Sequence, residues 1–320
     1  MMRALQRTTG MVGILSLLTL ASCAATDGPH RCSLWVDAYD GEPATYAAML
    51  DDLAGVRVIY IGERHTIDRH HDIQRQIVAD LIARDVPLLL GFEQMEAPYQ
   101  PHLDEYNAGR IDFDELATRT EWSRRWSNFE DYRSIVEAAH AAGAPILALN
   151  AKRETVRRVA RHGLNGIDAD LRAQLPAEMN LDDPMYEAHL SRVMMVHAGM
   201  PESIMRQMFE AQVTRDETMA DRLCAFLKSD AGAGRTAVVL CGSGHCAHGM
   251  GIPSRVRRRL PGTKDRILVL SASGDVVLSE RERKMARPIT ITHEQNRQLN
   301  TPVADYLHVV SLKPSPTASD

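Results

Sequence analysis

At 320 residues, with 44% hydrophobic and 25% charged side chains, the chain can bury a large core as one big domain or two smaller ones. Its formal net charge of −5 argues against a broad basic face for nucleic acid, so no nucleic-acid partner is expected. The local run Arg255, Arg257, Arg258 and Arg259 reads as a solvated helix face.

Arg3 and Arg7 precede an apolar stretch, Met11 to Leu20, that is too short for a membrane span and has the make-up of a signal peptide. It ends in Leu20-Ala21-Ser22-Cys23, which resembles a bacterial lipobox. That resemblance implies cleavage before Cys23 and acylation of the cysteine, palmitate included. With Ala24 in place of an Asp, it also implies the outer membrane as destination. Two or three acyl chains anchor stably where one does not. Residues 1–22 are read as signal peptide and 23–45 as a tether. Cys32, Cys224, Cys241 and Cys246 would sit where disulfides form, but their spacing fixes no pairing.

Tyr46 to Leu53 has a helical apolar face and leads into the strand Val56 to Ile61, which stops at Gly62-Glu63-Arg64-His65. Ile73, Ile77, Leu81 and Ile82 recur at helical spacing, so Asp68 to Arg84 packs on a sheet. Pro87 to Glu93 and Pro145 to Asn150 are further buried strands, with helices between them around Tyr99 to Asn107, Phe113 to Thr120 and Phe129 to Ala142. From Lys152 to Lys228 only helical patterns appear, notably Pro184 to Ala198 and Pro201 to Lys228. This stretch is rich in methionine, which suits either a helical core or a soft wall for an apolar ligand. Strands resume at Thr236 to Cys241, Arg266 to Ser271, Val276 to Leu278 and Asp305 to Ser311, with a helix at Pro253 to Leu260. The fold class expected is α/β, a parallel β-sheet flanked by helices with a smaller all-helical subdomain inserted. Residues 46–151 and 231–312 would form the α/β domain, 152–230 the subdomain and 313–320 a frayed tail.

Two strands each end in Gly-x-x-His, at Gly62 to His65 and Gly242 to His245, and a third ends in Glu93. Ligands of open α/β sheets bind at the strands' carboxyl ends, so Glu63, His65, Glu93, Asn150, Ser243 and His245 are expected to share one crevice. Two imidazoles with carboxylates suit a divalent metal (His65, His245, Glu93, Glu63) or general acid–base chemistry (His65, Glu93, His245). Gly62 and Gly242 would let the backbone turn sharply and approach a ligand closely, and Asn150 would hold a loop or a carboxylate. His70 and His71 are expected at the surface. His248, three residues past His245, is a weaker candidate for the site.

Ile61-Gly62-Glu63-Arg64-His65 with His70, His71 and Gln74 resembles the opening motif of the ChaN-like haem-binding lipoproteins. Phe92 to Met95, Trp126 to Tyr132, Leu147 to Asn150, Gln212 to Ala220 and Cys241 to Pro253 resemble that family's later blocks in order. The wider superfamily takes in Tiki metalloproteases, TraB-type proteins and erythromycin esterases. The resemblance implies a dimeric lipoprotein of iron acquisition that binds haem through a tyrosine, with an outer-membrane haem receptor as a further partner. Tyr60, Tyr132 and Tyr186 are unranked candidates for the haem ligand. The alternative is a metal-dependent hydrolase using both Gly-x-x-His motifs and Glu93.

Overall fold

The computed structural model describes residues 31–194, 201–272 and 301–312. Eight strands form one sheet: β1 (Arg31–Asp37), β2 (Pro43–Ala44), β3 (Val58–Glu63), β4 (Leu88–Glu96), β5 (Ile146–Asn150), β6 (Thr236–Gly242), β7 (Asp265–Leu270) and β8 (Tyr306–Leu312). Their order is β2-β1-β8-β7-β3-β6-β4-β5, parallel from β8 to β5 and antiparallel at β1 and β2. Helices α1 (Tyr46–Leu53), α2 (Asp68–Ala83), α3 (Gln100–Asn107), α4 (Phe113–Arg119), α5 (Trp122–Arg125) and α6 (Arg133–Ala141) lie between the strands of the first half. Helices α7 (Arg153–His162), α8 (Ala169–Arg172), α9 (Pro184–Met194) and α10 (Glu202–Lys228) follow β5, and α11 (Ile252–Arg259) follows β6. The α/β class expected from the pattern is the one found.

Period-two alternation sorts the buried strands between two layers. Ile59, Ile61, Leu90, Phe92, Val238 and Leu240 pack with α1, α2 and α6 on one face. Val58, Tyr60, Leu89, Val239 and Cys241 pack on the other with Met219, Ala220, Leu223 and Leu227 of α10 and with Ile252 and Val256 of α11. Both faces of the central strands are covered, which is why β3, β4, β5 and β6 read as continuous apolar runs.

Two expected boundaries differ. The stretch taken as a tether contains β1, which pairs along its length with β8 from the other end of the chain, Trp35 opposite His308. Its seven residues carry no proline, but their apolar side chains do not alternate, and a strand near the sheet's edge is recognisable only with its partner in view. The helical stretch 152–230 does not stand apart either, because the second half of α10 is the sheet's own covering layer. A small separate cluster does exist, formed by Tyr186, Leu190, Phe209, Val213 and Met250. The signal peptide, Cys23, Val276 to Leu278 and the tail lie outside the described residues, as does the end of the helix expected through Ala198. Among the described residues no helix is long and apolar enough to cross a membrane.

Candidate functional site

Strands β3 and β6 are neighbours in register, with Gly62 opposite Cys241 and Glu63 opposite Gly242, and β4 flanks β6. The two Gly-x-x-His turns therefore leave the same rim side by side. The glycines are required by space rather than by φ. A Cβ on Gly242 would lie 2.9 Å from His65 Nε2, and one on Gly62 would lie 2.7 Å from Cys246 Sγ.

Glu93 sits at the centre. One oxygen accepts from the Gly242 N–H at 2.6 Å. The other faces His245 Nε2 at 3.2 Å, Arg215 at 3.3 Å and His65 Nε2 at 3.9 Å. Each imidazole is held from behind by a buried acid, His65 Nδ1 by Glu63 at 2.7 Å and His245 Nδ1 by Asp216 at 2.6 Å. Glu63 also accepts from Gln74 (2.7 Å), Gln94 (2.8 Å) and Tyr132 (2.5 Å), and Trp122 fixes Gln94 through its backbone carbonyl. Asn150 donates to the Glu93 carbonyl and accepts from Arg215.

These contacts give the two histidines different roles. Burial resists the charge on His245, but Glu93 and Asp216 outweigh it and push its pKa up to about 10. The shift favours the imidazolium, whose two ring nitrogens both face acids. Burial likewise works against Glu93, yet His245 and Arg215 hold its carboxyl well below the usual range. Glu63 is held down at about 2 against its burial by its hydrogen bond with His65 and by the His71 ring beside it. His65 has its pKa raised by Glu63 and Glu93 against partial burial. Its side chain keeps 31% exposure against 6% for His245, so His65 is the imidazole of the pair that is more open to solvent.

Several expected placements are corrected. His70 and His71 are buried: His70 Nδ1 accepts from the Arg64 N–H, and His71 Nε2 lies 3.3 Å from Glu63. His248 stands away from Glu93, ring to ring with His189. Ser243 contributes only its backbone carbonyl, to Cys246. The arginine run is a solvated face only in part: Arg257 and Arg258 are exposed, but Arg255 is 1% exposed, and Arg255, Arg258 and Arg259 converge on buried Glu217. Asp216, Arg215 and Gln94 are site residues that the sequence did not single out. Cys224, Cys241 and Cys246 are free thiols.

A family model described as haem-binding uptake, Tiki superfamily, ChaN matches residues 49–256, from α1 into α11. The chain belongs to the ChaN family. A solved structure described as cofacial heme binding to ChaN of Campylobacter jejuni has the same fold at a TM-score of 0.64, with 20% identity over 87% of this chain and 97% of that one. An erythromycin esterase in its open conformation aligns at a TM-score of 0.43 and 12% identity, over 74% of this chain and 76% of that one. Arabidopsis thaliana RETICULATA-RELATED 5, a chloroplast protein, is 23% identical over 82% of this chain, which spans only 35% of that protein's length.

Family membership brings haem to the tyrosine candidates, and none of the three fits it. Tyr60, Tyr132 and Tyr186 are buried on all sides. Tyr132 donates to Glu63 and Tyr186 to Asp216 at 2.7 Å, while the Tyr60 hydroxyl is enclosed without a partner. Burial raises all three pKa values, so the tyrosinate that ferric iron prefers is disfavoured. The metal set changes as well. Glu63 has its acceptors filled and His245 both its nitrogens. Among the described residues the acids and imidazole spaced for a cation are Asp68, His71 and Asp131 instead.

Proposed function

We propose that the protein is a lipid-anchored haem-binding protein of iron acquisition, held at the outer membrane through Cys23. Membership of the ChaN family across the whole strand-end site carries this reading. The Campylobacter ChaN structure, described as cofacial heme binding, supports it through the shared fold. A homodimer and an outer-membrane haem receptor are the partners it calls for. A cleft of about 280 Å³ touches Glu93, below the ~300–1,000 Å³ of sites that enclose drug-sized ligands. A porphyrin is therefore expected on the outer surface, not in a closed pocket. Titration of mature protein with hemin tests this. A Soret band is expected that survives Tyr60→Phe, Tyr132→Phe and Tyr186→Phe, and its absence at stoichiometric hemin would remove the reading. Loss of membrane fractionation in Cys23→Ala tests the anchor.

A second reading, a hydrolase, is favoured by one observation: two imidazole–acid pairs converge on a single buried carboxylate. Here His65 Nε2 takes a proton from an attacking water while Glu63 stabilises the charge left on the ring. The imidazolium of His245 and the guanidinium of Arg215 keep Glu93 ionised and fixed. Positioned acid–base groups contribute about 10²–10⁴-fold. His65→Asn is thus expected to abolish ester or lactone hydrolysis over a substrate panel, and wild-type rates no higher than buffer would sink this reading.

A further inference from the structure

The cleft beside Glu93 is lined by four arginines, Arg125, Arg153, Arg157 and Arg215, against two carboxylates, Glu93 and Glu96. The charge of Glu93 is already met by the imidazolium of His245. Glu96 is shared between Arg125, at 2.7 Å, and the first backbone N–H of α7, at 3.0 Å, and exposed Glu154 lies 3.8 Å from Arg125 at the rim. The positive excess remains on Arg153 and Arg157, whose guanidinium groups form no hydrogen bond or ion pair among the described residues. They stand four residues apart on one face of α7, where like charges repel. Both belong to the first turns of that ten-residue helix, whose N-terminal dipole adds to the positive field. Arg125 Nε, also on the cleft wall, is buried without an acceptor. Trp126 supplies an aromatic face, and its ring is 4.7 Å from that of His65.

We propose that this cleft is an oxyanion subsite that seats the carboxylate or phosphate of a small ligand on Arg153 and Arg157. The ligand's apolar body lies along Trp126, which brings the next atoms to His65. The assignment goes beyond haem binding and does not need it, since the oxyanion can belong either to a haem propionate or to a separate small molecule.

The test uses full-length mature protein and two probes, phenyl phosphate and benzoate, with binding followed by saturation-transfer NMR. Both probes are expected to bind and to be loosened by salt. The exposed double variant R153Q/R157Q should keep its melting temperature and bind them roughly tenfold or more weakly, as loss of charge-assisted contacts implies. Displacement of phenyl phosphate by hemin but not by hemin dimethyl ester would name propionate as the source. Displacement by neither, with the arginine dependence intact, would name a separate ligand. No saturation transfer to either probe, or equal binding by wild type and the double variant, would overturn the proposal.

Discussion

Replacing Asp216 by Asn removes one of the two acids that hold His245 as a cation while leaving an oxygen for Tyr186. The rise of His245 from the ordinary 6.5 to about 10 corresponds to roughly 5 kcal/mol at ~1.4 kcal/mol per pH unit. Glu93 and Asp216 share that stabilisation, so the substitution is expected to cost about 2 kcal/mol. The sign follows from a pKa raised on folding. The stabilisation is complete below pH 6.5, declines between pH 6.5 and 10, and is gone above 10. Urea unfolding of wild type and Asp216→Asn at pH 6, 8 and 10.5 should show a gap that closes as pH rises. Nitrogen shifts of the His245 ring should titrate late in wild type and earlier in the variant. A gap that stays constant with pH, or a wild-type ring that titrates near 6.5, would refute the clamped imidazolium.

Acid should act through the other pair. Glu63 drops from the ordinary 4.5 to about 2, worth roughly 3 kcal/mol that is present above pH 4.5 and lost as pH falls toward 2. Glu63→Gln should accordingly lose most of its stability deficit in acid unfolding curves below pH 3. Gly242→Ala places a methyl against the movable ring end of His65, so about 1 kcal/mol of stability is expected to go. Modification of His65 by diethyl pyrocarbonate should change rate in the same variant, because Nε2 is displaced. Tyr60→Phe removes a buried hydroxyl that has no partner and should leave stability unchanged or raise it by about 1 kcal/mol in chemical denaturation.

The convergence of His65, His245 and Glu93 was legible because apolar runs ending in glycine mark parallel strands, and parallel strands deliver their ends to one rim. Their division of labour was not. Asp216 lies in the run Arg215-Asp216-Glu217, which reads as an exposed helical turn. Charge alone cannot tell a buried acid from a solvated one. Arg255 and Glu217 failed for the same reason, since each is tolerable inside only because the other is there. The tyrosines show the converse error. A chemically apt side chain was proposed before its burial was known, and burial decides whether a phenol can meet iron. Strand β1 escaped notice because its partner lies some 270 residues away in the chain.

The pairing of β1 also fixes how an acylated protein would stand. Arg31 opposes Leu312 at the carboxyl end of β8, so the chain enters the sheet at the rim from which His65 and His245 project. Three strand spacings, about 14 Å, separate that entry point from β3. Eight residues link Cys23 to Arg31 and reach at most about 28 Å. With lipid on Cys23, the rim that carries the site would stand within that reach of the bilayer.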